Sequence, residues 1–289
     1  MDVKNKEGIE YLNNDVEDGS VDLIITDPPY IISKDTGMNK HYNTVKKNKA
    51  DNVKYVKTEA DWLEYKKTLN KPQNELDADC GKEKGAIWSK ENYLRYGSIL
   101  GKKYCNKTDF GEWDKAFTLE KLEKFIELYY KKLRRGGTLI IWFDIWKISY
   151  LHELLNKYKF KQIRFIEWIK TNPQPRNSKV NYLTNCREIA LLGVKGGKPT
   201  FNSSYDNAIY RYPMANGKNR FHPTQKNLDL FKALIKKHSN EGDLVLDTFL
   251  GGGTTAIACK MLKRRFKCCE IDKNYWMESL KIIAKTKSN

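Results

Sequence analysis

The β-rich run at 243–249 breaks into three consecutive glycines, and a helical segment follows from about 253 to 263. A strand that empties through glycines into a helix is the βα corner of an open sheet whose strands are joined by helices. The rest of the chain fits that frame. Residues 21–27 form a β-branched run that stops at Pro28 and Pro29. Leu119, Leu122, Phe125, Ile126, Tyr129 and Leu133 have helical spacing, which predicts a helix over 118–133 capped by Thr118, with Gly136 and Gly137 past its end. Strands are expected at 138–143, 160–169, 188–194, 243–249 and 266–271, and helices at 146–158, 227–239 and 273–285. Residues 31–112 offer only two short helices, near 58–69 and 89–96, with Thr58 and Ser89 as caps. The alternation predicts one α/β domain over 1–289: an open, mostly parallel twisted sheet with helices on both faces. Two decorating segments are expected at 31–109 and 171–221.

The chain has 289 residues, 40% of them hydrophobic and 12% aromatic, enough for a sizeable core and against a disordered chain. No apolar run approaches the roughly 20 residues of a membrane helix. The first residues, charged from Asp2 onward, do not read as a secretory leader. A cytoplasmic protein is expected. Six cysteines with no C-x-x-C pair, and four histidines, give no metal spacing. They read as reduced structural thiols, and no metal is expected. The net charge of +17 is uneven: 31–107 hold 17 basic and 10 acidic side chains, and 171–221 hold 8 and 2. Basic segments that also carry aromatics suit a polyanion, since Lys and Arg neutralise phosphates. Lysine-rich solvated loops are the competing reading, and the clustering favours nucleic acid.

In the glycine loop, Gly251, Gly253 and Ala256 fit the loose pattern G-x-G-x-x-A at a helix start. Glu270 closes the next strand, 19 residues on, where a carboxylate can hold ribose hydroxyls. The pattern points to an adenosine-containing cofactor without separating a nicotinamide from S-adenosylmethionine. The other loop, Asp27-Pro28-Pro29-Tyr30, also follows a buried strand, so both loops can face one crevice at the sheet's carboxyl edge. Asp27 supplies an acceptor. Pro28 supplies a carbonyl that Pro29 helps hold in place, and Tyr30 supplies a flat ring. Two acceptors and a ring suit an aromatic amine. Accepting both of its N–H bonds favours a pyramidal nitrogen whose lone pair can attack an electrophilic methyl.

With these loops in this order, the chain resembles the β class of S-adenosylmethionine-dependent DNA amino-methyltransferases, whose motif order is circularly permuted on a Rossmann-like fold. Residues 19–30 are similar to the family's phrase around the catalytic loop. Similar segments stand at 110–114, 135–140, 168–172 and 222–226. The resemblance implies that Asp27, Pro28, Pro29 and Tyr30 form the catalytic loop. It implies that Asp247, Phe249, Gly251 and Gly253 line the methionine end of the cofactor, with Glu270 at its ribose and Thr224 and Lys226 near its carboxylate. Asp27, Thr248, Thr254, Thr255 and Asp272 complete the expected cofactor surround. Asp ahead of the two prolines favours adenine N6, with cytosine N4 the alternative, and the base would be flipped from duplex DNA. Arg176, Lys179, Arg211, Lys218 and Arg220 are the expected DNA contacts, in a target-recognition segment at 171–221, with 31–109 as an inserted clamp. A cognate restriction endonuclease, a monomer or homodimer, and a bacterial cytoplasm or a phage-infected host complete what the resemblance implies.

Departures from the family pattern are Asn227 in place of a proline, Asn5 in place of an acidic residue that meets adenine, and the long stretch after Tyr30. Other readings explain less. A cytosine C5 enzyme needs a nucleophilic cysteine after a proline, and none is present. A nicotinamide oxidoreductase leaves residues 27–30 and the basic segments without a role. A non-catalytic DNA-binding subunit would show a broken loop, and RNA or protein-amide acceptors would go with Asn ahead of the prolines.

Overall fold

The computed structural model describes residues 2–31, 37–69, 90–99, 101, 116–173, 185–215, 222 and 224–287. The chain divides into two compact units, Met1–Tyr30 with Phe117–Asn289, and Ile31–Ala116.

The larger unit is built on one eight-stranded sheet. Its strands are β1 Asp2–Asn5, β2 Val21–Thr26, β3 Leu133–Phe143, β4 Lys161–Lys170, β5 Arg187–Val194, β6 Ile209–Tyr212, β7 Leu244–Asp247 and β8 Arg265–Glu270. Their spatial order is β1-β8-β7-β2-β3-β5-β4-β6. Only β5 pairs antiparallel, with β3 on one side and β4 on the other; the remaining pairings are parallel. All strands but β5 therefore end at the same edge, and β5 starts there.

The helices follow from capping and apolar stripes. In chain order they are α1 Gly8–Asp15, α2 Gly37–Ala50, α3 Glu59–Lys67, α4 Lys90–Tyr96, α5 Leu119–Lys132, α6 Ile148–Lys157, α7 Leu228–His238, α8 Thr254–Met261 and α9 Lys273–Lys285. Thr118 caps α5 by accepting from the Lys121 amide at 3.2 Å, and Leu122, Phe125, Ile126 and Tyr129 form its buried face. Asn227 accepts from the Leu230 amide at 2.9 Å, so the residue that replaces the family's proline caps α7. Leu23 and Ile25 of β2, Ile140 and Trp142 of β3, and Val245 of β7 form a core with Leu230, Phe231 and Leu234 of α7 and with α8. Ile24, between two of these, points to the opposite face, as pleating requires, and is fully buried too. Phe125 lies 4.8 Å from the Phe249 ring and packs over Gly8, where a Cβ would stand 2.6 Å from it.

The smaller unit has its own aromatic centre. Trp62 of α3 packs on Tyr93 of α4, and Tyr65 stacks on Tyr93 at 4.4 Å and 12°. Thr58 and Asp61 form a reciprocal capping box at the start of α3.

Several elements differ from expectation. β1, α1, α2 and β6 carry no sequence signal strong enough to foresee. α2 is polar along most of its length, and α1 is capped by Glu7, an uncommon N-cap residue. β3 begins at Leu133, directly from α5, so Gly136 lies inside a strand rather than after a helix. Its φ of +79° lets its amide reach the Lys195 and Gly196 carbonyls. β7 ends at Asp247 because that side chain captures the Phe249 amide at 3.0 Å and turns the chain. A short 3-10 turn, Ile145–Lys147, precedes α6. Ser89 lies outside the described residues.

Phe125→Ala empties the junction of α1, α5 and the segment after β7. The unfolding free energy in urea is expected to fall by about 3–5 kcal/mol.

Candidate active site

Because β2 and β7 are hydrogen-bonded neighbours running the same way, the loops that follow them leave the sheet side by side. Thr26 Oγ1 donates to Asp247 Oδ1 at 2.8 Å, which ties the last residue of one strand to the last of the other. The two motifs, 221 residues apart in sequence, are thereby brought together.

Asp247 is buried and fully engaged. It also accepts from the Phe249 amide at 3.0 Å and from Thr255 Oγ1 at 2.6 Å, so it shapes the glycine loop from inside. Burial pushes its carboxyl up to about 6. Thr248 is buried against the Tyr129 hydroxyl, and Phe249 sits between the Phe117 and Phe125 rings. Gly251 and Gly253 have φ of +50° and +77°, left-handed conformations that favour glycine, and Gly253 is the N-cap of α8. A Cβ on Gly252 would meet Gln225 at 2.8 Å, so the segment 222–226 lies directly against the loop. Glu270 takes the Gly251 amide on one carboxylate oxygen at 2.8 Å and the Asp272 amide on the other at 2.9 Å. Asp272 caps α9 through the Asn274 and Tyr275 amides. Asn5 ends β1 beside Glu270 and donates to the Glu270 and Ile271 carbonyls. Thr254 is buried, its hydroxyl 3.4 Å from the Lys226 carbonyl, while exposed Thr224 bonds the His222 ring.

Residues Pro28 and Pro29 are buried, and Tyr30 sets its ring edge-on to Phe143 at 6.0 Å. Ile31, the next residue, has a φ of +57°. Lys226 is the surprise. Its ammonium, 7% exposed, lies 3.1 Å from Asp27 Oδ1, donates to the Tyr30 hydroxyl at 2.9 Å and pairs with Glu188. It also lies 5.2 Å from the Tyr30 ring centre and 5.3 Å from that of Trp142. Glu188 in turn pairs with Lys170 at 2.6 Å. Two carboxylates and two ammoniums thus form a charge-balanced chain. Burial pushes Glu188 up, but Lys226 and Lys170 outweigh it and hold the carboxyl at about 2. Burial raises Asp27 against the pull of Lys226. For Lys226, the two carboxylates overcome burial and raise its affinity for its proton.

Glu188 was not among the residues singled out from the sequence. It reaches this edge only because β5 runs opposite to its neighbours, which brings its first residues beside the ends of β3 and β4. A lone carboxylate opening an apolar strand was the available signal. Among the expected DNA contacts, Arg211 is exposed near the end of β6; Arg176, Lys179, Lys218 and Arg220 lie outside the described residues. Among the described residues of 171–221, the basic side chains lie at more than one edge of the sheet. Arg187 starts β5 at the site edge, whereas Lys195 follows its end at the opposite edge, where it bonds the Lys131 and Leu133 carbonyls.

Lys226→Met strips Asp27 and Glu188 of their shared counter-charge. Stability in urea is expected to drop by about 3–5 kcal/mol. Lys157→Met, which removes the exposed partner of Glu123, is expected to leave the urea midpoint nearly unchanged. Asp247 binds its proton more tightly folded than unfolded. Its contribution to stability is therefore full below about pH 4 and is lost as pH rises through about 6. In urea titrations across that window, Asp247→Asn is expected to flatten the slope relative to the parent chain.

The family model described as DNA methylase, for N6 and N4 enzymes, matches residues 21–281. The type II methyltransferase M2.DpnII of Streptococcus pneumoniae is 32% identical over 188 residues, 58% of this chain and 69% of that protein. The type II methyltransferase M.HpaI of Haemophilus parainfluenzae is 27% identical over 272 residues, 92% of this chain and 69% of that protein. The crystal structure of the M1.HpyAVI–SAM complex has the same fold, with a TM-score of 0.59 at 24% identity and 97% of each chain covered. With the family model spanning the sheet from β2 through α9, and both motif loops seated at one edge, the chain belongs to the N6/N4 DNA methylase family.

Proposed function

We propose that this chain transfers a methyl group from S-adenosylmethionine to the N6 amine of an adenine flipped out of duplex DNA. The observation that carries this reading is the adjacency of the two loops on paired strands β2 and β7, locked by the Thr26–Asp247 bond. One loop suits an adenosine-bearing ligand and the other suits an aromatic amine, so donor and acceptor can meet without either crossing the sheet.

The residues fit the cofactor. The run from Gly251 to Gly253 offers backbone without side chains, and the buried Gln225 Oε1 beside it has no partner among the described residues. An acceptor left bare in that place suits a ligand N–H. Glu270 can add ribose hydroxyls to the two amides it already accepts, since an ionised carboxylate has about four acceptor sites. Phe249, Thr248, Thr254, Thr255 and Asp272 shape and cap this surround, and Asp247 holds its turn. Lys226 lies beside Asp27, and Thr224 opens the same segment on the exposed side.

When bound, S-adenosylmethionine supplies a methyl carbon on a cationic sulfur. The chain's own residues do the positioning. Asp27 and the Pro28 carbonyl accept the two amine N–H bonds, Pro29 stiffens the turn, and the Tyr30 ring takes the base face. That leaves the nitrogen lone pair turned toward the cofactor side, where bound S-adenosylmethionine would supply the methyl carbon and a sulfur able to take up the electrons of the carbon–sulfur bond. The surplus proton on the amine leaves to water past Asp27, which is 18% exposed. Lys226 opposes the burial that raises this carboxyl and holds it in place, so the acceptor is organised before substrate arrives.

Asp ahead of the prolines supports adenine over cytosine, and cytosine N4 is the second reading because the family takes in both amines. The basic segment 171–221, through Arg211 and its neighbours in sequence, is assigned to target recognition, and 31–109 to a clamp on the duplex. A nuclease that cuts the same unmodified site, in the cytoplasm, is the partner a type II reading calls for.

The test is expression in a host without adenine methylation, followed by digestion of its DNA to nucleosides and mass measurement. N6-methyladenine is expected; N4-methylcytosine alone would transfer the assignment to the second reading. Asp27→Ala is expected to abolish the product while cofactor affinity, read by calorimetry, stays within roughly twofold.

A further inference from the structure

Trp146 is 88% exposed, the barest of the large apolar side chains among the described residues. Tryptophan is highly buried on average, so such exposure calls for a ligand-side explanation. Its backbone, by contrast, is held firmly. The Trp146 amide donates to Asp144 Oδ1 at 3.2 Å. The next residue, Lys147, donates from Nζ to Asp144 Oδ2 at 2.9 Å and to the Tyr30 carbonyl at 2.9 Å. The turn that carries the bare indole is thus bolted to the catalytic loop.

Its position follows from strand order. β7, β2 and β3 lie side by side and parallel, so the glycine loop, the Asp-Pro-Pro-Tyr loop and the Trp146 turn leave the sheet in that sequence. Trp146 flanks the catalytic loop on the side away from the glycine loop. A base brought to Asp27 must arrive from DNA lying over this edge, because the glycine-loop flank is taken by the cofactor.

We infer that Trp146 stacks on the bases of the duplex next to the target and occupies the gap that the flipped adenine leaves. This rests on the function proposed above. Extruding a base sacrifices its pairing and stacking, and an aromatic wedge at the vacated step returns part of that loss. An indole offers a broad apolar face for any base sequence, so the wedge assists extrusion without reading the site. The rigid turn matters as much as the ring, because a wedge that swings freely would spend the stacking gain on being ordered.

The experiment uses the full chain and a duplex containing the site found by modified-base sequencing of a host that expresses it. A second duplex sets the target adenine opposite an abasic residue, so that extrusion breaks no base pair. Trp146→Ala is expected to lose roughly tenfold or more in kcat/KM on the paired duplex, where Trp146→Phe keeps most of the activity. On the abasic duplex, Trp146→Ala is expected to work within roughly threefold of the parent chain. With 2-aminopurine at the target position, the fluorescence rise on binding should shrink for Trp146→Ala. The thermal melt should not move, because the ring is bare in the folded chain. Equal activity of Trp146→Ala and parent on the paired duplex would overturn the wedge, and so would the same loss on both duplexes. A parent chain that methylates neither duplex would instead overturn the function on which the wedge rests.

Discussion

Everything chemical in this molecule depends on β2 and β7 lying side by side. Each strand is short, and each is followed by a loop with no apolar stripe of its own to fix its direction. The Thr26–Asp247 hydrogen bond fixes where both loops begin, and it is made in the interior, where a bond cannot be traded for one to water without opening the core. Asp247 passes the constraint on through Thr255 to the first turn of α8 and through the Phe249 amide to the glycine loop. One buried carboxylate thereby sets the register of strand, loop and helix together. The cost is a carboxyl whose affinity for its proton is raised by burial, accepted in return for three fixed donors.

The second constraint is electrostatic. A carboxylate that must accept hydrogen bonds from a neutral amine has to stay ionised in a place that water barely reaches. Burial raises the Asp27 carboxyl, and Lys226, shared with Glu188, opposes that rise; Glu188 is balanced again by Lys170. Because opposite charges alternate along the chain, the site keeps a charged acceptor without a net charge buried beneath it. Lys226 also touches the Tyr30 hydroxyl, so a single ammonium holds both polar side chains of the catalytic loop in place.

Much of this was legible in the residues. The helices with a clear apolar stripe, α5, α7 and α9, begin and end close to the expected 118–133, 227–239 and 273–285; the Thr118 cap was foreseen, and the Asn227 and Asp272 caps were not. The strands flanking the two loops are visible as β-branched runs stopped by prolines or glycines. The misses have physical reasons. α2, nearly uniform in polarity, carries no periodicity to read, and β1 and β6 are edge strands of four residues, too short for alternation to register. Single-residue roles were harder still. Lys226 was placed near the cofactor from its segment, but its tie to Glu188 depends on the reversed direction of β5, which pairing decides and local sequence does not. Lys195, one of the basic residues counted in 171–221, bonds the Lys131 and Leu133 carbonyls at the far edge of the sheet. Composition counts charges without knowing which way each strand points.

Ile31 gives the catalytic loop a mechanical character. A β-branched side chain at a φ of +57° is a strained arrangement costing of order 1–3 kcal/mol, held here immediately after Tyr30, where the chain leaves one compact unit for the other. Free energy stored at that joint is returned whenever the backbone relaxes into an ordinary extended shape. Rearrangement of the loop thus starts partway uphill, like a latch closed against a spring. Opening there needs less outside work than the contacts around Tyr30 suggest.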